Sequence, residues 1–148
     1  MKIGNLEVKG FAALAPMAGV ADRAMREICR KHGAAFCVGE LASARGITLG
    51  DKKSAALLSC NGWERPMASQ LFGHEPDIMA YSAKVIEDMG FNMIDINCGC
   101  PAPKIYKNGD GSALMLNPHL IYQIVHEIRK ATNVILSVKL RIGYDGEN

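Results

Sequence analysis

Several things are missing from this chain of 148 residues. No apolar run approaches the ~20 residues that a membrane helix needs. The opening stretch, MKIGNLEVKG, lacks the apolar core and small-residue cleavage site of a secretion signal. A cytoplasmic protein with no membrane partner is therefore the expectation. Cysteine is present but not arranged as a metal or disulfide framework. There are five, Cys29, Cys37, Cys60, Cys98 and Cys100, an odd number, and no two are separated by two residues as in a zinc site. They read as reduced thiols, with Cys29, Cys37 and Cys60 serving as small hydrophobes. The four histidines, His32, His74, His119 and His126, show no metal-ligand spacing, so no metal is expected. An excess of charge is also lacking. A net +2 permits contact with nucleic acid without arguing for it. No linker or low-complexity segment divides the chain, and its length suits one domain that buries roughly 68–70% of its unfolded surface.

What is there is an alternation of short apolar runs with longer amphipathic ones. FAALAPM (11–17), FCVGE (36–40), PMASQLFG (66–73), MIDINC (93–98) and NVILSVKLRIG (133–143) read as strands. Between them, DRAMREICRKHG carries Met25, Ile28 and Cys29 at helical spacing and stops at Gly33. Residues 51–59 read as a short helix. EPDIMAYSAKVIEDMG opens on acidic residues and closes on Gly90, as the helix dipole and capping favour. NPHLIYQIVHEIRKAT has Asn117 as its expected N-cap and Pro118 at its first position. Repeated strand–helix units imply a parallel sheet covered by helices, either doubly wound or an eight-fold barrel. In both, the active site lies at the carboxyl ends of the strands. Polar residues gather there: Glu40, Gln70, Asn97, Lys139 and Arg141. A barrel takes about 250 residues and eight strands. On the barrel reading this chain stops after about the fifth strand and leaves two open strand edges, which invite self-association.

One stretch holds chemistry. In DINCGCPAPKIYKNGDGSALM (95–115) a buried strand breaks at Gly99 and presents Cys100 directly before Pro101. Cys100 is either one more buried cysteine or a thiol facing a cleft. A thiol in water has a pKa of ~8.5 and is mostly protonated at neutral pH. With no histidine in the stretch to activate it, a general acid is favoured over a thiolate nucleophile. GDGSAL does not qualify as a dinucleotide loop, because Leu114 takes the place of the last small residue and no strand immediately precedes Gly109. PKIYKNGDG reads as a mobile lid, with Lys104 and Lys107 as solvated charge. Gln70 and Asn97 are amides near the ends of apolar strands and need a partner if buried; a ligand is one candidate. Lys139, inside ILSVKLRIG, reads as a buried lysine reaching for an anion or a cofactor.

NCGCPAPKIYKNGDGSALM resembles the signature of the tRNA-dihydrouridine synthases, in which an asparagine, a glycine, the catalytic cysteine and a proline precede a lysine-bearing loop and a Gly–Ser–Ala–Leu segment. APMAGVADRAMR, GELASARG, QLFG and VKLRIG resemble that family's first, second, third and fifth strand segments, in order along nearly the whole chain. The resemblance implies a parallel (β/α)8 TIM barrel, with residues 1–148 forming the N-terminal part of its catalytic domain and a helical RNA-binding domain absent. It implies FMN as cofactor, NADPH as electron donor and tRNA as substrate. By the same resemblance Cys100 is the proton donor. Pro16, Met17 and Ala18 lie against the flavin ring, and Gln70 and Lys139 meet its polar edge. Glu40 and Asn97 arrange the pocket, while Lys104, Lys107 and Arg141 approach RNA phosphates. His74 has no assigned role. Two other readings stand beside this one. One is an FMN-dependent dihydroorotate or dihydropyrimidine dehydrogenase, and the other is an inactive half-barrel fragment.

Overall fold

A computed structural model describes residues 2–143. Five parallel strands form its main sheet: β3 (Ala13–Leu14), β4 (Phe36–Ser43), β5 (Met67–Phe72), β6 (Met93–Asn97) and β7 (Ile135–Lys139). They lie side by side in chain order. That order decides between the two candidate folds. A doubly wound sheet reverses direction at a switch point, whereas a barrel adds each strand beside the last. The sheet is that of a half-barrel. A two-stranded antiparallel hairpin, β1 (Lys2–Ile3) and β2 (Leu6–Glu7), precedes it. Gly4 takes the turn with φ +59, the left-handed region that glycine enters most easily.

The helices begin where the local chemistry starts them. Asp22 caps α1 (Arg23–Lys31), its Oδ1 accepting from the N–H of Met25 at 2.8 Å. Asn117 caps α6 (Pro118–Ala131), its Oδ1 accepting from the N–H of Leu120 at 3.1 Å, with Pro118 in the first helical position. Between β4 and β5 the chain forms α2 (Ala44–Thr48), capped by Ser43, and α3 (Lys52–Leu57), capped by Asp51. α4 (Pro76–Asp88) follows β5, and the single turn α5 (Pro103–Tyr106) follows β6.

The two faces of the sheet differ. On the outer face Leu71, Ile94 and Ile96 pack against Met79, Ala83 and Ile86 of α4 and Ile124 and Ile128 of α6. Each fully buried isoleucine contributes about 1.5–3 kcal/mol. The inner face changes character along the strands. Near the amino ends, Val38, Ala68 and Met93 cluster with Ile3, Phe36 and Ile135, so the hairpin's Ile3 covers this end. Towards the carboxyl ends the inner positions become polar.

Four expectations need correction. β3 is two residues long rather than seven, because it is an edge strand with a neighbour on one side only among the described residues. β4 runs three residues past Glu40, through a register shift between Val38 and Leu41. The stretch read as a mobile lid, residues 103–111, contains α5 and leads at Gly111 into a 3₁₀ turn over Gly111–Leu116, with backbone hydrogen bonds throughout. Lys139 is exposed, not buried. It ends β7, which pairs on one side only among the described residues, so nothing packs over its stem.

Candidate active site

Register brings the polar inner positions together. Gln70, Asp95 and Ser137 are direct neighbours across β5, β6 and β7, and Asn97 lies beside Lys139. In-register residues of parallel strands share a face, so these side chains line one layer of the inner surface. They form a ladder. Ser137 Oγ donates to Asp95 Oδ1 at 2.5 Å, and Gln70 Nε2 donates to Asp95 Oδ2 at 2.6 Å. Asn97 Nδ2 donates to Gln70 Oε1 at 2.9 Å. Asn97 Oδ1 then accepts from the backbone N–H groups of Gly99 at 3.2 Å and Cys100 at 2.9 Å. Gln70 and Asn97 therefore find the partners that burial demands in each other and in Asp95.

The ladder ends on the turn that carries Cys100. That turn is closed from the other side by Ser112, whose N–H donates to the Cys100 carbonyl at 2.9 Å. Gly111 makes the closure possible. It sits at φ +60, and a Cβ there would lie 2.6 Å from the Cys100 oxygen. Gly99, which the sequence suggested as the pivot, has no positive φ; Asn97 and Gly111 hold the turn. Cys100 is half-buried and accessible. Cys98, two residues earlier, packs in the outer core. Burial pushes its thiol up to about 12, with the negative charge of Asp95 adding to the effect.

Across the sheet, the loop after β3 turns on the Met17 carbonyl, which accepts from Val20 at 3.1 Å and Ala21 at 2.8 Å. The Gly19 N–H donates to the Glu40 carboxylate. Arg26 anchors the end of this loop, donating to the Ala21 carbonyl at 3.0 Å and to the Ser59 carbonyl at 3.0 Å, while its Nε pairs with Glu64 at 2.8 Å. Pro16 is partly covered, and Met17 and Ala18 are exposed. Beside the cysteine turn, His74 in the segment after β5 meets the buried Asp110 at 2.8 Å, Nδ1 to Oδ1. A groove of about 530 Å³ opens there, with Arg45, His74 and Lys104 on its walls. Lys107 and Arg141 are exposed, and neither is ion-paired among the described residues.

A family model described as dihydrouridine synthase (Dus) matches residues 13–148. The chain belongs to the dihydrouridine synthase family. It is 38% identical over its whole length to tRNA-dihydrouridine synthase B of Shewanella oneidensis, covering 46% of that protein. The corresponding protein of Vibrio vulnificus is 39% identical, again over the whole chain and 46% of the relative. A probable tRNA-dihydrouridine synthase of Rickettsia bellii is 37% identical over 99% of the chain and 45% of its own length. The chain thus spans about half the length of the curated relatives it matches.

Within this half-barrel Asn97 and Lys139 end β6 and β7, Cys100 follows β6, and Glu40 and Gln70 lie inside the carboxyl halves of β4 and β5 rather than at their ends. The 16–18 loop follows β3 at the same end, and Lys104, Lys107 and Arg141 lie in the segments that follow β6 and β7. Sequence reasoning missed Asp95, Ser137, Arg26, Asp110 and Gly111. Asp95 carried the same signal that exposed Gln70 and Asn97, a polar residue inside an apolar strand. Nothing in the local pattern singles out Arg26, and only the fold buries it against Glu64.

Proposed function

We propose that this chain forms the cysteine-bearing part of a cytoplasmic enzyme that reduces uridine in tRNA to 5,6-dihydrouridine. The observation that carries the reading is Cys100, an accessible thiol held at the carboxyl end of β6 in a turn fixed by Asn97 and Gly111, in a chain of the dihydrouridine synthase family. FMN fits the residues present. Lys139 offers an ammonium at the inner rim with no ion-pair partner among the described residues. Gln70 keeps one N–H and one lone pair beyond its two ladder bonds. The 16–18 loop supplies an open, mostly apolar wall.

FMN, when bound, would supply the hydride for carbon 6 of the uracil ring, with NADPH as the electron donor. Cys100 holds a proton on Sγ and delivers it to carbon 5. Lys139 would help hold the flavin's polar edge, where its ammonium would supply positive charge. Asn97 orients the turn that aims the thiol, and Glu40 holds the 16–18 loop in place through Gly19. The base leaves its stack to reach the thiol, as for other enzymes that act on bases. Lys104, Lys107 and Arg141 then meet the flanking phosphates.

Three measurements test this. A bound-flavin absorbance spectrum on titrating the chain with FMN supports the cofactor assignment, and a chain that leaves the free-flavin spectrum unchanged counts against it. In a full-length synthase, Cys100→Ala is expected to lower single-turnover formation of dihydrouridine by about 10²–10⁴-fold, the range for losing a general acid. Unchanged turnover would remove Cys100 from the mechanism. Turnover of free uracil derivatives in place of tRNA would point to a free-pyrimidine oxidoreductase instead.

A further inference from the structure

We infer that Asp95 sets the direction of the hydrogen-bond ladder and, acting through Gln70 and Asn97, positions the Cys100 turn. A side-chain amide fits its site in two orientations that exchange oxygen and nitrogen. Each end of this ladder is a group that cannot make that exchange. At one end the backbone N–H groups of Gly99 and Cys100 can only donate, so Asn97 presents Oδ1 to them and Nδ2 to Gln70. At the other end an ionised carboxylate can only accept, so Gln70 presents Nε2 to Asp95 and keeps Oε1 for Asn97. Both ends demand the same sense, and the middle amide satisfies both.

Asp95 cannot turn away from this task, because its second oxygen accepts from Ser137. Water cannot readily replace it. Gln70, Asp95 and Asn97 are only 1%, 6% and 8% exposed, and a buried donor or acceptor left unpaired is costly. The family signature stretch centres on the cysteine. The ladder extends the machinery that holds it back to Asp95 at the middle of β6 and one strand to either side, to Gln70 on β5 and Ser137 on β7. The consequence for catalysis rests on the role proposed for Cys100, whereas the ladder itself does not.

The test reverses the ladder and reads the turn without any turnover. Asn97→Asp puts an acceptor on each side of Gln70, whose Nε2 faces only one of them at a time. Amide hydrogen exchange at Cys100 is expected to accelerate at least about tenfold. Adding Asp95→Asn supplies a donor at the far end. Gln70 can then turn over, donate to the new carboxylate at position 97 and accept from the new amide at position 95. The Gly99 and Cys100 N–H groups keep their acceptor, so the double variant is expected to exchange within about threefold of the parent. Asp95→Ala with Asn97→Asp removes the like charge but offers no donor, and is expected to recover less than half of the loss on a logarithmic scale.

An Asn97→Asp chain that exchanges like the parent overturns the inference. So does a double variant that recovers less than half of the loss, or equal recovery by the alanine and asparagine pairs, which would assign the effect to charge repulsion. If Asn97→Asp does not fold, folding of the Asp95→Asn pair supports the inference and its failure to fold overturns it. Loss of activity in a full-length synthase with an unchanged exchange pattern would bear on Cys100 chemistry alone.

Discussion

Cys98 and Cys100 are two residues apart, the first packed in the outer core and the second half-buried in the turn beyond β6, and their environments differ. Cys98 is wholly buried, and the folded chain holds its thiol up to about 12 against an ordinary 9.0. Folding therefore favours its protonated form. The stability that Cys98 contributes is fully present below pH ~9 and is lost as pH rises from there towards 12, where the unfolded chain gives up a proton that the folded chain retains. Unfolding midpoints measured on either side of that window should fall with rising pH, and fall less steeply in Cys98→Ala. In the same protein at mildly alkaline pH, a neutral alkylating reagent should modify Cys100 and leave Cys98 untouched, as read by peptide mass. Modification of Cys98 in the folded chain would contradict its placement in the outer core.

At the scale of elements, one buried ion pair carries unusual weight. Arg26 of α1 reaches Glu64 in the 3₁₀ turn over Gly62–Glu64, which leads into β5, and its guanidinium also holds the carbonyls of Ala21 and Ser59. Glu64 answers with its second oxygen, which accepts from the Asn61 N–H at 2.6 Å. This cluster joins the first helix, the end of the 16–21 loop and the approach to the third strand of the main sheet. Glu64→Ala leaves a buried guanidinium without its counter-charge and should cost about 3–5 kcal/mol in chemical denaturation. Arg26→Met combined with Glu64→Leu should cost less than Glu64→Ala alone, since no charge is then stranded. A Glu64→Ala chain within about 0.5 kcal/mol of the parent would show the pair to be no more than a surface contact. The hydrogen bond between His74 and Asp110 is a lighter tie, joining the segment after β5 to the loop that closes on Cys100 through Gly111.

At the scale of the whole molecule, β3 and β7 each have one strand neighbour among the described residues. Large apolar side chains flank them in the open: Phe11 is 99% exposed and Ile142 94%. Unpaired strand edges beside exposed apolar surface favour pairing with another chain. The chain by itself should therefore form dimers or larger species in light scattering, increasingly so with concentration. A monodisperse monomer at high concentration would refute this. The sheet between those edges is graded from apolar to polar along its inner face, so its amino end is covered by Ile3 and its carboxyl end is left for chemistry.

Local order was legible without the fold. Asn117 and Pro118 marked a helix start, Gly33 and Gly90 marked stops, and all five main strands were visible within apolar runs, because capping and periodicity act between residues a few positions apart. Polar residues at strand ends located the site for the same reason. The cysteine stretch by itself carried the family resemblance. What only the tertiary structure decided are relations across the chain. Strand order excluded the doubly wound sheet. Gln70 and Asn97 proved to be each other's partner, with Asp95 as their anchor. Arg26 became a core residue, and Lys139 came to lie exposed on an edge strand. Those outcomes depend on which strands become neighbours and in what register, and nothing in the local pattern of either partner encodes that pairing.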